Sequence, residues 1–460
     1  MMLLPVRAMP IAKDIIDRTL SQKHGESGFR ICEKLLDAGF EGWWVGGSVR
    51  DMLLGLLPDD IDIATDAKPK DIVKLFPKCD DSRADLGAVI VSLAGHTFEL
   101  TTYREETQTS DGREPASVRF TTRKEDAKRR DITINAMYWN PISRDLFDPF
   151  NGETDLHEKL IRIIGDPDTR LTHDALRLLR VIRFRAAIGG QYHPETFQAL
   201  HRCAKLVKTL SGFRAFQEIE KTLLCPHPEV AFEDYWETDI LEHLLPELHA
   251  CRGIAQPMDP HTEGDVWNHI IKILGSFTPD HEADVRIAAL FHDIGKSKTF
   301  SIQEDRIHFN EHAPVGETIT RTILDRMQCP VKRKDKICWL VGHHMMMGTF
   351  ENIDDERKAH WYYHPWFIEL LQLFWLDIAG TGKQRFELYE SIVNDYNHFL
   401  DRNPRPEKAL ISGEEVMEIL GIQPGAKVGE ILKSLHDAQI AKKVNTKKEA
   451  RQFSENLRNI

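Results

Sequence analysis

The chain has 460 residues, of which 41% are hydrophobic and 29% are charged, and its formal net charge at pH 7 is −12. This composition is ordinary for a globular protein of two to four domains, and the acidic balance argues against a surface coated in basic residues for unspecific nucleic-acid binding. No apolar run is long enough to span a bilayer, no signal peptide is recognisable, and the seven cysteines include no Cys-x-x-Cys pair, so a cytoplasmic protein without a membrane partner, a disulfide framework or a zinc ribbon is expected.

Local periodicity divides the chain into a mixed N-terminal part and a helical remainder. Residues 1–40 have a helical pattern that ends at Gly39, a residue type common just beyond a helix C-terminus. Short strand and helix patterns alternate over residues 41–150, and helical periodicity dominates from about Asp155 onward. Linkers are expected at two proline-containing segments, 256–260 and 403–406.

A glycine turn follows the first expected strand, which spans residues 41–45. Gly46 and Gly47 let the backbone bend sharply and come close to phosphate oxygens. A short helix is expected over residues 49–54, and the amides at its N-terminus favour an anion. Arg50 adds a forked donor with a permanent positive charge. The segment therefore predicts a site that binds a triphosphate.

Two aspartates, Asp60 and Asp62, lie on the next expected strand, 60–64, with their side chains projecting from the same face. Aspartate is depleted in strands, and neighbouring carboxylates repel each other unless a hard cation such as Mg²⁺ binds between them. A solvated strand face is the simpler interpretation of an isolated Asp-x-Asp pair. The glycine turn directly upstream favours a metal site instead.

A third carboxylate is expected from a hairpin formed by residues 89–93 and 97–101. Glu99 lies on its second strand and is explained equally well as a ligand of the aspartate site or as a surface carboxylate on an edge strand. Two metal ions held by three carboxylates suit the attack of a hydroxyl on an α-phosphate, because one ion activates the nucleophile and the other steadies the departing pyrophosphate. Asp60, Asp62 and Glu99 are therefore the expected catalytic residues.

A basic segment, 126–137, offers groups that suit the sugar and phosphates of a nucleotide. Arg129 and Arg130 can bind phosphates, and Asp131 and Asn135 can hydrogen-bond to ribose hydroxyls. Taken alone, a capped basic loop before a helix is the simpler interpretation.

A long helix is expected over residues 174–187, with four polar residues spaced by three: Asp174, Arg177, Arg180 and Arg183. An aspartate acceptor beside an arginine fork resembles the edge of a nucleobase and could select C or A without a nucleic-acid template. The alternative is an amphipathic helix stabilised by ion pairs between residues three apart.

Four motifs stand in a specific order along the first half of the chain. They are Gly46-Gly47-x-Val49-Arg50-Asp51-x-Leu53-Leu54-Gly55, Asp60-x-Asp62, Arg129-Arg130-Asp131-x-Thr133-x-Asn135-Ala136-Met137 and Asp174-Ala175-Leu176-Arg177-x-Leu179-Arg180. Together they resemble the class II tRNA nucleotidyltransferases and bacterial poly(A) polymerases. The resemblance implies an α+β polymerase-β-like nucleotidyltransferase head followed by an all-α neck and body.

The resemblance also implies roles for individual residues. Asp60 and Asp62 would bind the catalytic Mg²⁺ or Mn²⁺ ions, and Asp174 and Arg177 would read the base. The neck motif of the family usually opens with Glu-Asp, whereas this chain has His173 before the aspartate. The implied nucleotide-binding residues are Gly46, Gly47, Arg50, Asp51, Arg130, Asp131, Asn135, Asp174, Arg177, Arg180 and Arg183.

Activities in this family divide into full CCA addition, CC-only addition, A-only addition and poly(A) synthesis. The polar loop within residues 103–120 is similar to that of members that add A, and no long basic tail of the poly(A) type is present. The resemblance therefore implies CCA addition to tRNA from CTP and ATP. A poly(A) polymerase, an A-only enzyme or a CC-only enzyme is the nearest alternative.

A second site is expected from two imidazoles and two carboxylates in the helical half: His269, His292, Asp293 and Asp377. Such a set suffices for a divalent metal ion, whose bound water would be acidified and could attack a phosphoester. A lone histidine on a helix is more often a satisfied polar residue. The sequence Leu-Phe-His-Asp-Ile-Gly-Lys at 290–296, however, resembles the HD phosphohydrolase domain.

Two further histidines, His312 and His343, could extend this site towards a second metal ion. The expected domains are the head at 28–152, the neck and body at 153–255, an all-α HD domain at 256–402 and a helical tail at 403–460. A rival function of another class is a metal-dependent phosphohydrolase with an RNA-binding N-terminal half. An alarmone-type enzyme would be expected to have the two domains in the reverse order.

Overall fold

The computed structural model describes residues 11–106, 118–257, 264–402, 409–440 and 443–457. Part of the polar loop within 103–120 and most of the two expected linkers lie outside the described residues. The chain divides into two compact units, residues 1–249 and 250–460. In the described part of the chain, no helix combines the length and the apolar character that a membrane span requires.

The first unit is built around a seven-stranded mixed sheet with the strand order β3-β4-β5-β2-β1-β8-β9. Strand β2 pairs antiparallel with β1 and parallel with β5. The strands of this unit are β1 Gly42–Val45, β2 Asp62–Thr65, β3 Cys79–Asp80, β4 Ala88–Leu93, β5 His96–Thr102, β6 Arg104–Glu106, β7 Val118–Phe120, β8 Tyr138–Trp139, β9 Leu146–Phe147, β10 Leu160–Ile161 and β11 Gln191–Tyr192.

Helices cover this sheet and then continue alone to the end of the unit. They are α1 Lys13–Ser21, α2 Lys23–Asp37, α3 Gly47–Leu53, α4 Pro69–Leu75, α5 Arg123–Lys128, α6 Gly152–His157, α7 Pro167–His173, α8 Leu176–Ile188, α9 Pro194–Cys203, α10 Gly212–Leu223, α11 Pro228–Glu237, α12 Ile240–Leu244 and α13 Pro246–His249. Short 3₁₀ turns occur at Ala84–Leu86, Thr133–Asn135 and Ala204–Thr209. The prediction of an α+β head followed by a helical region is confirmed.

The core of the head forms where α2 packs against the sheet. Helix α2 approaches the sheet closely at Gly28, where a Cβ atom would lie only 3.2–3.4 Å from the side chains of Trp44, Phe98 and Ile61. These three side chains are almost completely buried. Their burial fixes the register of the strands that carry the candidate catalytic carboxylates, because successive strand residues face opposite sides of the sheet.

The predicted hairpin is confirmed, and β4 and β5 run in register from the Ala88–Thr101 pair to the Leu93–His96 pair. The two turn residues, Ala94 and Gly95, both have positive φ, as a tight hairpin turn requires. Strand β5 lies between β4 and β2 in the sheet. The alternative that placed Glu99 on an edge strand is therefore wrong.

Two predicted elements begin later than expected. Strand β2 starts at Asp62, so Asp60 precedes the strand instead of lying within it. Helix α8 starts at Leu176, because Asp174 has extended backbone angles that separate α7 from α8. The sequence pattern had assigned Asp60 to the strand and Asp174 to the helix, but each lies just before the first residue of that element.

The second unit is almost entirely helical. Its helices are α14 Val266–Leu274, α15 Ala283–Phe291, α16 Lys296–Thr299, α17 His312–Arg326, α18 Val331–His343, α19 Asp355–Tyr362, α20 Phe367–Gly380, α21 Glu387–Arg402, α22 Gly413–Leu420, α23 Ala426–Ile440 and α24 Lys447–Asn456, with a 3₁₀ turn at His344–Asn352. Helices α14, α15, α18 and α20 pack on one another, and α22 to α24 enclose a separate small core.

A short hairpin of β12 Ser301–Gln303 and β13 Arg306–His308 was not expected from the sequence. Its turn residues, Glu304 and Asp305, have positive φ without any glycine. The usual sequence signal for a tight turn is therefore missing.

Candidate active sites

The glycine turn of the first unit lies between two guanidinium groups. Gly46 connects β1 to α3 and has a φ of 71°, a conformation that favours glycine. A Cβ atom at Gly46 would lie 3.4 Å from Nη1 of Arg130, and one at Gly47 would lie 3.7 Å from Nη2 of Arg50. The turn thus exposes backbone beside two permanent positive charges, as expected for a site that binds phosphate groups.

A continuous series of hydrogen bonds joins three of the four sequence motifs. Arg50 donates from Nε and Nη2 to Asp51 at 3.0 and 2.8 Å, and from Nη1 to Oδ1 of Asn135 at 3.0 Å. Nδ2 of Asn135 donates to Oδ1 of Asp131 at 3.3 Å. Arg180 of α8 donates from Nε and Nη2 to Oδ2 of Asp131 at 2.9 and 2.6 Å. We call these five residues the arginine–carboxylate relay.

Asp131 is the buried centre of this relay. Burial alone would raise the pKa of Asp131, but Arg180 and hydrogen bonds from Ile132 N–H and Asn135 outweigh burial and hold that pKa well below its usual range. The carboxylate is therefore ionised at neutral pH, and α8 is tied to the head by a charge-assisted bond.

Replacing Asp131 with alanine should destabilise the protein by about 3 kcal/mol, because it leaves Arg180 without its buried partner. Urea unfolding followed by tryptophan fluorescence measures this loss. Because pairing lowers the pKa of Asp131, this residue contributes to the free energy of unfolding above the ordinary aspartate pKa of about 4. That contribution should decrease as the pH falls below this value. The control is Asp168→Ala, which removes an exposed pair with Arg202 and should cost at most about 1 kcal/mol. Equal losses in the two variants would contradict this prediction.

A buried aspartate that sequence reasoning missed, Asp126, orients the arginines of the basic segment. Arg129 donates to Asp126 at 2.8 Å, and a guanidinium nitrogen of Arg130 lies 3.7 Å from the same carboxylate. Tyr138 donates to Asp126 at 2.6 Å and accepts from Arg130 at 3.0 Å. The spacing of three and four residues along α5 was the available sequence signal.

The three candidate catalytic carboxylates influence one another electrostatically. Desolvation by the surrounding protein, and after it the negative charge of Glu99, raises the pKa of Asp62 to about 6. The charge of Arg130 opposes this shift, and the charge of Asp60 adds to it. Glu99 also lies 3.6 Å from a guanidinium nitrogen of Arg83. A divalent cation would relieve the repulsion that neighbouring negative charges exert on the carboxylate of Asp62. Among the described residues, however, the groups whose possible ligand atoms all lie within 4.8 Å of one another are in the second unit, and Asp60, Asp62 and Glu99 do not form such a group.

The expected base-reading pair is held by separate partners. Asp174 accepts from the Leu176 N–H at 3.1 Å and from Arg214 at 3.2 Å. Arg177 is buried and donates to the carbonyl oxygens of Arg170 and Arg129 at 3.0 and 2.9 Å. Arg214 was not predicted, because a single arginine 40 residues away gives no local signal.

The remaining arginine of the series, Arg183, donates to Glu218 of α10 at 2.5 Å. Together with the bond from Arg180 to Asp131, this places the ion-pair partners of these two α8 arginines on other elements. The alternative of ion pairs between residues three apart on one helix is therefore wrong for both. Arg50, Arg180 and Arg183 also lie over the ring of Phe184, at 5.5, 5.3 and 4.3 Å from its centroid.

In the second unit, the four predicted metal ligands come together. Nε2 of His269 lies 3.0 Å from Oδ1 of Asp377 and 3.8 Å from Oδ2 of Asp293. Nε2 of His292 lies 3.3 Å from Oδ2 of Asp293 and 3.6 Å from Oδ1 of Asp377. His269, His292 and Asp377 form one of the tight groups of possible metal ligands.

Two glycines permit this assembly. A Cβ atom at Gly380, on α20, would overlap the side chain of Ile273 and lie 3.0 Å from the ring of His269. A Cβ atom at Gly295 would overlap the carbonyl oxygen of His312. The first contact lets α20, which carries Asp377, approach α14, which carries His269. The second lets the segment after α15, which carries His292 and Asp293, approach α17.

The electrostatics of this group favour a cation. Burial alone would lower the pKa of His292, but Asp293 and Asp377 outweigh burial and raise it to about 10. The pKa of Asp293 lies well below its usual range because the charges of His292 and Lys296 outweigh its burial. Lys296 is buried and donates to Asp293 at 2.6 Å and to Gln256 at 2.7 Å.

Of the two histidines expected to extend this site, only His312 lies beside Asp293. The prediction for His343 is wrong, because its Nδ1 bonds to the Trp339 carbonyl at 2.8 Å and its ring stacks on Trp339. The neighbouring His344 takes that place and forms a second tight group with Asp293 and His312. Adjacent histidines at the end of α18 differ in direction by about 100°, which periodicity could not resolve without the packing.

Comparisons with known proteins show which families the chain resembles. Three family models match: "Poly A polymerase head domain" at residues 42–162, "Probable RNA and SrmB- binding site of polymerase A" at 191–252 and "HD domain" at 261–377. The chain is 40% identical over 421 residues to a CCA-adding enzyme of Streptococcus thermophilus, covering 89% of this chain and 90% of that protein.

Two further relatives cover nearly the whole chain. A CCA-adding enzyme of Ligilactobacillus salivarius is 37% identical over 411 residues, covering 88% of this chain and 89% of that protein. The crystal structure of the Bacillus stearothermophilus CCA-adding enzyme in complex with CTP is similar with a TM-score of 0.62 and 25% identity, covering 95% of this chain and 98% of that chain.

Proposed function

The chain belongs to the family of CCA-adding enzymes, and we propose that it adds C and A to the 3′ end of tRNA from CTP and ATP without a nucleic-acid template. The single observation that carries this proposal beyond the family is the arginine–carboxylate relay. It joins the helix after the glycine turn, the basic segment and α8 by hydrogen bonds. Arg130 of the same basic segment acts electrostatically on Asp62, as Glu99 does.

In the proposed reaction, the terminal ribose 3′-hydroxyl attacks the α-phosphate of the nucleotide. A bond forms between that oxygen and phosphorus, the bond from the α-phosphorus to the bridging oxygen breaks, pyrophosphate leaves and the hydroxyl proton passes to solvent. Asp60 and Asp62, with Glu99, would hold Mg²⁺ or Mn²⁺, which lowers the pKa of the hydroxyl and stabilises the leaving pyrophosphate when bound.

The turn and the relay would bind the nucleotide. The backbone at Gly46 and Gly47, with Arg50 and Arg130, would take the triphosphate. Both carboxylate oxygens of Asp131 accept hydrogen bonds from protein donors, including Arg180 and Asn135. We therefore assign Asp131, Asn135 and Asp51 to positioning Arg50 and Arg180.

Base selection is assigned to residues in α8 and just before its first residue. Asp174 and Arg177 would present acceptor and donor groups to the base, with Arg180 and Arg183 nearby. Since Asp174 is bound to Arg214 and Arg177 to backbone carbonyls, base binding requires an exchange of these partners. His173, in place of the usual glutamate, is exposed at the end of α7 and leaves this pair unchanged.

The test is product length on a tRNA that lacks CCA, with CTP alone, ATP alone or both, and on a parallel tRNA that ends in CC. Growth by CC with CTP, and by one further A when both nucleotides are present, is expected. An A added only to the CC-ended tRNA would identify an A-only enzyme, and an open-ended ladder from ATP would identify a poly(A) polymerase. Either result would overturn CCA addition.

Metal binding to the head should weaken in acid, because Asp62 has a pKa of about 6 and a carboxylate must lose its proton to ligate a metal. Below that pH, the Mn²⁺ concentration for half-saturation should rise roughly tenfold per pH unit. The measurement is an electron-paramagnetic-resonance titration without nucleotide, so that protonation of a triphosphate cannot contribute. A background that carries His269→Gln, His292→Gln, His312→Gln and His344→Gln removes the histidines of both groups of possible metal ligands in the second unit. An affinity that stays constant from pH 5 to 8 would contradict this prediction.

A second activity, metal-dependent hydrolysis of a phosphoester, is proposed for the second unit. Nε2 of His292 is buried, has no hydrogen-bond partner and faces the carboxylates of Asp293 and Asp377. This donor set fits a divalent metal ion, with His269 as the fourth ligand. Such an ion, when bound, lowers the pKa of a water molecule that can attack phosphorus. The damaged 3′ ends of RNA are the substrate class we assign.

A further inference from the structure

One of the three candidate catalytic carboxylates of the head, Asp60, lies outside the regular pairing of the sheet. Strand β2 begins at Asp62, and its pairing with β1 and β5 begins at Asp62 and Ile63. Asp60 is exposed, whereas the next residue, Ile61, is buried. A carboxylate that ligates a metal ion must be held within about 0.5 Å of its productive position. The ladder of the sheet holds Asp62, so the backbone at Asp60 needs another support.

Helix α2 passes close to the segment that precedes β2. A Cβ atom at Gly28 of this helix would lie 3.4 Å from Cδ1 of Ile61. His24 lies four residues earlier on the same helix, and residues four apart share one helical face. The centroid of its ring lies 4.8 Å from that of Phe98 and 5.2 Å from that of His96. His24 therefore packs against the first residues of β5.

The same imidazole also lies close to Asp60. Strand β2 runs parallel to β5, so the residues that precede β2 lie beside the first residues of β5. Burial, followed by the neighbouring His96, lowers the pKa of His24. The charge of Asp60 and a hydrogen bond with the Asp59 backbone oppose this shift of the pKa. His24 is thus within reach of both aspartates that precede the strand.

His24 supports this segment from the side of the sheet opposite Glu99. Successive residues of a strand face opposite sides, so Phe98, against which His24 packs, and Glu99 point away from each other. We propose that His24 is a positioning residue of the head, which holds the segment before β2 so that Asp60 ligates a metal ion together with Asp62. This role rests on the proposed function, in which Asp60 binds a metal ion.

The test is the Mg²⁺ dependence of C addition to a tRNA lacking CCA, under single-turnover conditions at saturating CTP. His24→Phe keeps a ring against Phe98 and removes both imidazole nitrogens. It should raise the Mg²⁺ concentration for the half-maximal rate about tenfold, as is typical when a residue that orients a metal ligand is lost. The KM for CTP at saturating Mg²⁺ should stay unchanged, because the triphosphate is assigned to the glycine turn. The matched control is His157→Phe, exposed at the end of α6, which should leave both quantities unchanged.

A damaged fold would give a different result, because partial unfolding lowers the rate by the same factor at every Mg²⁺ concentration and leaves the half-maximal concentration unchanged. An unchanged half-maximal concentration in His24→Phe would therefore overturn the proposal.

A second readout needs no turnover. It is an electron-paramagnetic-resonance titration with Mn²⁺ in the background whose four second-unit histidines are glutamine. His24→Phe should raise the half-saturating Mn²⁺ concentration about tenfold. In a chain that also carries Asp60→Asn it should raise it no further, because His24 acts through Asp60. A shift in both chains, or in neither, would overturn the proposal. A wild-type chain that adds no nucleotide would refute the proposed function, and this titration would still decide the role of His24.

Discussion

Replacing Asp62 with asparagine is expected to lower the rate of nucleotide addition to tRNA by at least about 10³-fold, because metal ligation in such a reaction is worth several kcal/mol of transition-state stabilisation. Asparagine keeps the size of the side chain and removes its charge. The loss should therefore appear in kcat at saturating nucleotide, and raised Mg²⁺ should restore little of it. Single-turnover addition of C to a tRNA lacking CCA measures the effect directly.

The neighbouring acidic residue supplies the control. Asp59 is exposed and lies outside β2, so Asp59→Asn changes the net charge by the same amount without touching the assigned ligands. Its rate should stay within about twofold of the wild type, as for other surface substitutions. If Asp59→Asn lost as much activity as Asp62→Asn, the metal role of Asp62 would be refuted in favour of a general charge effect.

Replacing His292 with glutamine is expected to abolish phosphoester hydrolysis by the second unit, with a loss of at least about 10³-fold, while nucleotide addition continues. The reason is that His292 Nε2 points between Asp293 and Asp377 with no hydrogen-bond partner, so glutamine removes an aromatic nitrogen ligand from a buried group. Release of phosphate from a 3′-phosphorylated RNA, measured beside addition of C by the same preparation, reports both activities.

His343→Gln is the matched control for this experiment, because His343 is a histidine of the same unit outside both ligand groups. It should keep both activities. Parallel loss of hydrolysis and addition in His292→Gln would mean that the two reactions depend on one site. That result would contradict their assignment to separate compact units.

Short, chemically specific motifs were predicted more accurately from the sequence than the edges of the elements that carry them. The positive φ of Gly46 and the meeting of His269 with Asp377 depend on residue type and order, which the sequence contains. The start of α8 depends on whether an aspartate side chain accepts a backbone N–H. At Asp174 it does, bonding to Leu176, and this competes with helix formation.

Partners from distant segments were beyond sequence reasoning for a different reason. Arg214 and Asp174 are 40 residues apart, and nothing local distinguishes their pairing from that of any other arginine and aspartate. The choice of His344 over His343 likewise required the packing of α18 against its neighbours. Long-range electrostatic pairing becomes visible only when the chain is folded.

The arginine–carboxylate relay limits how far parts of this protein can be exchanged with those of its relatives. Asp131 belongs to the head and Arg180 to α8, yet they form one ion pair, whose carboxylate is buried. A chimaera that imports a foreign α8 to change base preference therefore needs the matching head segment, at least from Asp131 to Asn135. An exchange that aims to change specificity must therefore move both partners of the Asp131–Arg180 ion pair together, so its limits do not coincide with the boundary between the sheet and the helices.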